Sequence, residues 1–295
     1  MKEVIVISGK GGTGKTSITA AFASLAQNAV IADCDVDAAD LHLILEPDIT
    51  TENNFSGGKT AVINTDKCIG CGKCANLCRF DAIHLDAKAT GGGKKFSIDP
   101  ISCEGCKVCV EFCPVRAIDF KDALNGKWFI SKTRFGPMVH AKLGIAEENS
   151  GKLVCLIRQK AKEIAKEQNK DLIIVDGSPG IGCPVIASIT GADLVIVVTE
   201  PTLSGKHDLD RVVDLTSNFG IKTAVCINKA DINPEITEQI VEQAGKRNVK
   251  VIGKIAYDES FTKAQILKAA ITEYTGGFIA GEIKKIWQEI IYNLG

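Results

Sequence analysis

The chain has 295 residues, 45% of them hydrophobic and 24% charged, with a formal net charge of -1. That length allows one large core or two domains of roughly 150 residues each, and the near-zero net charge lacks the basic footprint of a nucleic-acid binder. No apolar run on the order of 18 residues occurs and the N-terminus enters a strand directly, so neither a membrane span nor a signal peptide is read and a cytoplasmic location is expected.

The first predicted strand, EVIVIS at 3–8, runs into SGKGGTGKT at 8–16 and then into the small, apolar helix SITAAFASLA. Strand, glycine loop and helix in that order are the setting of a phosphate-binding loop. In the pattern G-x-x-x-x-G-K-[ST], backbone N–H groups of Gly9, Lys10, Gly11, Gly12, Thr13 and Gly14 cradle phosphates. Lys15 reaches the β- and γ-phosphates, and the Thr16 hydroxyl meets Mg²⁺. Lys10 is surplus to that pattern. The next strand, AVIAD at 29–33, leads into DCDVDAAD, which sets Asp33, Asp35, Asp37 and Asp40 close together. Four like charges there call for a nearby cation or for a helix N-terminus. Asp35 is the residue expected to position an attacking water.

Twelve cysteines are present, and eight lie between residues 68 and 113. CIGCGKCANLC at 68–78 and CEGCKVCVEFC at 103–113 each have the spacing C-x₂-C-x₂-C-x₃-C of bacterial [4Fe–4S] ferredoxins. Three thiolates on a tight loop converge on one cube, and the fourth, at the start of a short helix, reaches the other. One cluster is therefore expected on Cys68, Cys71, Cys74 and Cys113, and the second on Cys103, Cys106, Cys109 and Cys78. The two runs repeat at an offset of 35 residues, with Arg79 where the second has Pro114. Turn-rich NNFSGGK and KDALNGK flank the segment, and KATGGGKK between its halves reads as a loop. The expected organisation is a host domain in two parts, 1–59 and 121–295, with a small domain inserted at 60–120.

Strands resume with LIIVD at 172–176, LVIVVT at 194–199, TAVCIN at 223–228 and VKVIGKI at 249–255. Most are continuous apolar runs, which argues for a doubly wound, mostly parallel α/β sheet covered on both faces. Ligands bind such sheets at the carboxyl ends of the strands. Asp176 ends one of them in the Walker B position, suited to hold Mg²⁺ with Thr16. Asn228 ends another, in NKAD, suited to a base edge; that string alone leaves ATP and GTP open. The last predicted helix, FIAGEIKKIWQEIIYNL, aligns Ile279, Ile283, Ile286, Ile290 and Leu294 on one face, expected to dock on the host core rather than on a membrane.

SGKGGTGKT with its extra Lys10 resembles the deviant Walker A loop of the MinD/ParA/nitrogenase iron protein ATPases. With DCDVDAADL, VDGSPGIGCPV, VTEPT and the cysteine runs, the whole chain resembles a MinD-superfamily P-loop ATPase containing an inserted ferredoxin domain. The resemblance implies ATP, with Asn228 near adenine, and a homodimer holding ATP at its interface, where Lys10 crosses to the partner's phosphates. It also implies a redox or metal-cofactor assembly protein as partner. In the nitrogenase iron protein a cysteine at the place of Cys183 holds an intersubunit cluster, and Cys155 is the candidate for the second ligand; for both, a small buried thiol is the expected state. Three functions follow: ATP-gated electron transfer, a cluster-carrier or maturation ATPase, and a MinD-like positioning switch with structural or regulatory clusters. Carriers of the Mrp type have a late C-x-x-C, which does not occur after Cys113.

Overall fold

The strand Lys2–Ser8 of the computed structural model, which describes residues 1–86, 94–144 and 150–295, is buried from Glu3 to Ser8. It lies inside a sheet of nine strands among the described residues. Their spatial order is Lys250–Lys254, Thr223–Ile227, Leu194–Thr199, Lys2–Ser8, Leu172–Pro179, Ala29–Asp33, Gly136–Leu143, Gly126–Thr133 and Asp48–Phe55. The first seven run parallel to one another.

Burial on both faces explains the continuous apolar runs. Val4, Val6, Ile174 and Ile196 meet Ile18 and Phe22 of the helix Lys15–Leu25 and Ile283, Ile286 and Ile290 of the helix Phe278–Leu294. The alternate residues Ile5, Ile7, Ile173, Val175, Val195 and Val197 are equally buried on the opposite face. Trp287 stacks on Phe22 with ring centroids 5.5 Å apart, so the apolar stripe of the last helix is spent on the core. Among the described residues no helix is long and apolar enough to cross a membrane.

Three strands of this sheet have no counterpart in the sequence reading. Gly126–Thr133 and Gly136–Leu143 are joined only by Arg134 and Phe135, which makes them a hairpin. Asp48–Phe55 adds the edge, where Thr50 Oγ1 donates 2.8 Å to the Ile130 carbonyl.

The chain divides into two compact units. One consists of Met1–Asn53, Trp128–Lys142 and Ser150–Gly295, the other of Asn54–Lys127 and Leu143–Asn149; the positions 60 and 120 fall inside the second. That unit contains two antiparallel ladders, Gly58–Ile63 with Ile118–Ala123 and Ile83–Leu85 with Phe96–Ile98. Its backbone repeats with its sequence. Positive φ occurs at the equivalent positions Gly70 and Gly105, Gly72 and Lys107, and Asp81 and Arg116. Gly72 and Lys107 each open a short helix, Lys73–Leu77 and Val108–Glu111, that carries the third cysteine of its run. Of the expected loop KATGGGKK, residues 88–93 lie outside the described residues; Lys95 Nζ donates to the Thr65 and Cys68 carbonyls at 2.6 and 2.7 Å.

Candidate functional site

The loop between Ser8 and Lys15 ends in Gly14, whose φ of 89° places it in the left-handed region at the N-cap of the helix Lys15–Leu25. A Cβ there would also lie 2.3 Å from Asn228 Nδ2, so only glycine admits the neighbour. The strands Ala29–Asp33 and Leu172–Pro179 pair with Asp33 beside Asp176, which brings two carboxylates to the carboxyl edge of the sheet above the loop.

Lys15 is 6% exposed and stands between carboxylates. Its Nζ donates 2.8 Å to Asp176 Oδ1 and lies 3.1 Å from Asp35 Oδ2. Thr16 Oγ1 donates 2.8 Å to Asp176 Oδ2, and Thr19 Oγ1, one helical turn after Lys15, donates 2.9 Å to Asp176 Oδ1. Burial alone would lower the Lys15 ammonium, but Asp176, Asp35 and Asp33 outweigh it and raise it. Burial, and then the charge of Asp176, pushes the Asp33 carboxyl well above the carboxylate range. Burial also raises Asp35, against the pull of Lys15. Asp37 and Asp40 are exposed, and Asp40 makes no side-chain cap bond to the short helix it precedes. The four aspartates therefore separate into an inward pair and an outward pair.

Asp33 Oδ2, Asp35 Oδ1 and Thr13 Oγ1 are buried without a hydrogen-bond partner among the described residues. Orphaned buried oxygens of this kind are costly unless a ligand completes them. A hydroxyl and carboxylates are hard oxygen donors that suit Mg²⁺, so the residues present fit that ion. Asn228 is buried; its Nδ2 donates 2.8 Å to the Thr13 carbonyl, and its Oδ1 accepts from Lys229 N at 3.0 Å. One N–H and one lone pair of that amide remain. Lys10 Nζ, by contrast, lies 2.8 Å from Glu200 Oε1.

The sequence reading missed Thr19 and Glu200. Thr19 is four residues after Lys15 and so shares its helix face. Glu200 follows the strand Leu194–Thr199 at the same sheet edge as Asp33 and Asp176, a signal that strand order alone carries.

Among the described residues, no three His, Cys, Asp or Glu side chains already form a metal-ligating group. The eight thiols nevertheless sort into two sets around two voids. Cys68, Cys71, Cys74 and Cys113 line one, together with Ile63 and Phe96. Cys78, Cys103, Cys106 and Cys109 line the other, together with Leu77 and Ile98. Burial, and then crowding by Cys103, Cys106, Cys74 and Cys78, pushes the Cys109 thiol up to about 11. Four thiols around each void, beside Ile63 and Phe96 in one and Leu77 and Ile98 in the other, are a donor set that fits a cluster.

Cys155 and Cys183 are not the buried thiols expected from the sequence: both are exposed. On the helix Ser150–Glu167 the buried face is Leu153, Val154, Ile157, Arg158 and Ala161, which leaves Cys155 off it, and Cys183 is the first residue of the helix Cys183–Ile189.

A family profile described as CobQ/CobB/MinD/ParA nucleotide binding domain matches residues 4–269. The uncharacterized protein MJ0578 of Methanocaldococcus jannaschii is 34% identical over 234 residues, covering 78% of this chain and 79% of its own. The cell division ATPase MinD of Pyrococcus furiosus superposes with a TM-score of 0.58 at 16% identity, over 99% of this chain and 98% of its own. The septum site-determining protein MinD of Pyrococcus horikoshii, complexed with Mg-ADP, gives 0.57 at 16% identity, over 98% and 95%. At such identities the two solved structures speak to the fold.

Proposed function

The chain belongs to the CobQ/CobB/MinD/ParA nucleotide binding domain family, and from that premise we propose that it is an ATP-hydrolysing switch. It works as a homodimer with ATP at the interface and couples nucleotide turnover to electron transfer through two [4Fe–4S] clusters, serving a redox or metal-cofactor assembly protein.

The nucleotide half of the reading is supported by the contacts of Lys15. Its ammonium is shared by Asp176 and Asp35. A triphosphate offers it a stronger anionic partner, and its departure frees both carboxylates at once. Asp176 is then available, with Thr16, to hold Mg²⁺, which neutralises phosphate charge when bound. Asp35, its Oδ1 already unpartnered, accepts a hydrogen bond from the attacking water. Asn228 keeps one N–H for the adenine edge while its other bond fixes the loop at Thr13.

The observation that carries the redox half is the sorting of the thiols. The fourth cysteine of each run lines the void of the other run, as the ferredoxin spacing requires. Two adjacent clusters suit the passage of electrons better than a structural role, for which one metal site suffices.

Iron and sulfide analysis of protein purified without oxygen tests this half. About eight iron atoms per chain, as two [4Fe–4S] clusters, is the expected content; stoichiometric zinc with negligible iron overturns the redox reading.

A further inference from the structure

The mechanism above uses Lys15 and leaves the contacts of Lys10 unexplained. Its Nζ lies 2.8 Å from Glu200 Oε1, donates 2.8 Å to Ser204 Oγ and donates 3.1 Å to Thr202 Oγ1. A lysine ammonium has three N–H donors. All three are therefore spent inside one chain, and a lysine held this way has no donor left for a second copy.

The acceptors it occupies do not depend on it. Glu200 also holds Lys229, with Oε2 2.9 Å from that Nζ, and Lys229 in turn donates 3.1 Å to the Gly12 carbonyl of the loop. Thr202 Oγ1 accepts from Gly205 N at 2.9 Å as the N-cap of the helix Leu203–Asn218, and lies 3.2 Å from Ser204 Oγ. When Lys10 leaves, each acceptor keeps another partner. The Lys10 and Glu200 side chains are also 29% and 15% exposed, so water can take over what the departing ammonium gives up. The ion pair of Arg158 with Glu3 is the opposite case: at 8% and 4% exposed it is bidentate and buried, and opening it would strand a charge. The first pair is built to open and the second to stay closed.

We propose that Glu200, with Thr202 and Ser204, is a dock that holds Lys10 within its own chain and withholds it from a second copy, so that Glu200 sets the concentration at which ATP-loaded chains pair. This rests on the proposed ATP-bound homodimer and on the crossing of Lys10 to the partner's phosphates that the family resemblance implies. Glu200 is a positioning residue: it acts through Lys10. The docked state competes with the dimer contact, so the apparent pairing affinity is reduced by the undocked fraction. Each of two chains must release one lysine, so the penalty enters twice. A partly exposed ion pair shifts such an equilibrium by about 1.4- to 5-fold, which gives about 2- to 25-fold for the pair.

The test uses the full chain, purified without oxygen, in two measurements. In the first, the nucleotide-free protein is treated briefly with an acetylating reagent and lysine modification is mapped by mass spectrometry. Glu200→Gln is expected to raise the modification rate of Lys10 several-fold, Ser204→Ala to raise it less, and buried Lys15 to stay protected in both. In the second, sedimentation with a non-hydrolysable ATP analogue gives the dimer dissociation constant. Glu200→Gln is expected to tighten it by about 2- to 25-fold, and Lys10→Ala to abolish pairing. If Lys10→Ala fails to pair while Glu200→Gln pairs no more tightly than the wild type, the dock is overturned and the trans reading stands. If Lys10→Ala pairs normally, the trans reading is what fails, and the role given to Glu200 in pairing goes with it. Unchanged Lys10 modification in both Glu200→Gln and Ser204→Ala overturns the dock by itself.

Discussion

Thr16 Oγ1 donates 2.8 Å to Asp176 Oδ2 while Lys15 Nζ donates 2.8 Å to Asp176 Oδ1. The lysine and threonine of the glycine loop thus meet on one strand-end carboxylate, and each can be tested by what its loss leaves behind. Lys15→Ala removes the cation between Asp176 and Asp35 and the charge that meets the phosphates. Charge-assisted bonds contribute about 1.5–3 kcal/mol each, so ATP affinity is expected to fall by about 10- to 100-fold or more. Asp35→Ala is expected to keep ATP affinity and lose turnover, trapping the loaded state. Equilibrium binding of a fluorescent ATP analogue to both variants decides it; equal losses of affinity would remove Asp35 from the water-positioning role.

Asp33 sets a pH dependence. Its folded carboxyl is raised well above the range of the unfolded chain, by burial first and the charge of Asp176 second. The stabilisation from the bound proton is therefore fully present below about pH 4 and is lost as pH rises through the folded value. Asp33→Asn keeps the shape without the charge. For the protein without nucleotide or Mg²⁺, its Tm is expected to exceed the wild-type Tm above that window and to lose the advantage toward pH 4. A gain of about 1 kcal/mol corresponds to about 2–4 °C for a domain of 150–250 residues. Melting curves between pH 4 and 8 measure this, and a difference that grows toward acid has the wrong sign.

Cys78 lines the void of the second cysteine run although it belongs to the first. Cys78→Ala is accordingly expected to damage the cluster held by Cys103, Cys106 and Cys109 and to spare the other, leaving about four iron atoms of eight. Paramagnetic resonance of the reduced protein should lose the coupling between two neighbouring clusters. Damage confined to the first-run cluster would mean that the ligands do not cross.

The strands of the host sheet were legible wherever both faces are covered, because a strand with no wet face has no polar positions to interrupt its run; LIIVD and LVIVVT are of this kind. The edge was not. DITTENNF at 48–55 is exposed along nearly all its length, and its strand character comes from pairing with neighbours rather than from its own side chains. Spacing within one loop pointed to Lys15 and Thr16 and a strand end pointed to Asp176, and the structure brings the three side chains together. Glu200 was hidden because its chemistry depends on a lysine 190 positions earlier in the chain, which no local pattern records. Cys155 and Cys183 were misread for a related reason: the composition of a helix does not tell which face a single thiol occupies.

Action of Lys10 across a dimer can be separated from action within a chain by mixing. Lys10→Ala chains combined with Asp35→Ala chains form hybrid dimers in which one site has Asp35 from one chain and Lys10 from the other. ATPase activity is expected to recover on mixing two inactive variants, where a charge of this type contributes about 10³- to 10⁵-fold in related phosphoryl transfers. Full hydrolysis by Lys10→Ala alone would reduce the second lysine to a surface charge.

The coupling of the ATP switch to the clusters is tested most directly by redox titration of the clusters, without oxygen, in the presence and absence of ATP. Nucleotide binding that changes how the reduced state is stabilised by tenfold moves a one-electron potential by about 59 mV. A shift of that order in the wild type, missing from Lys15→Ala, is the expected result. Identical potentials with and without ATP, in protein that binds ATP and holds its full iron, would contradict the coupling.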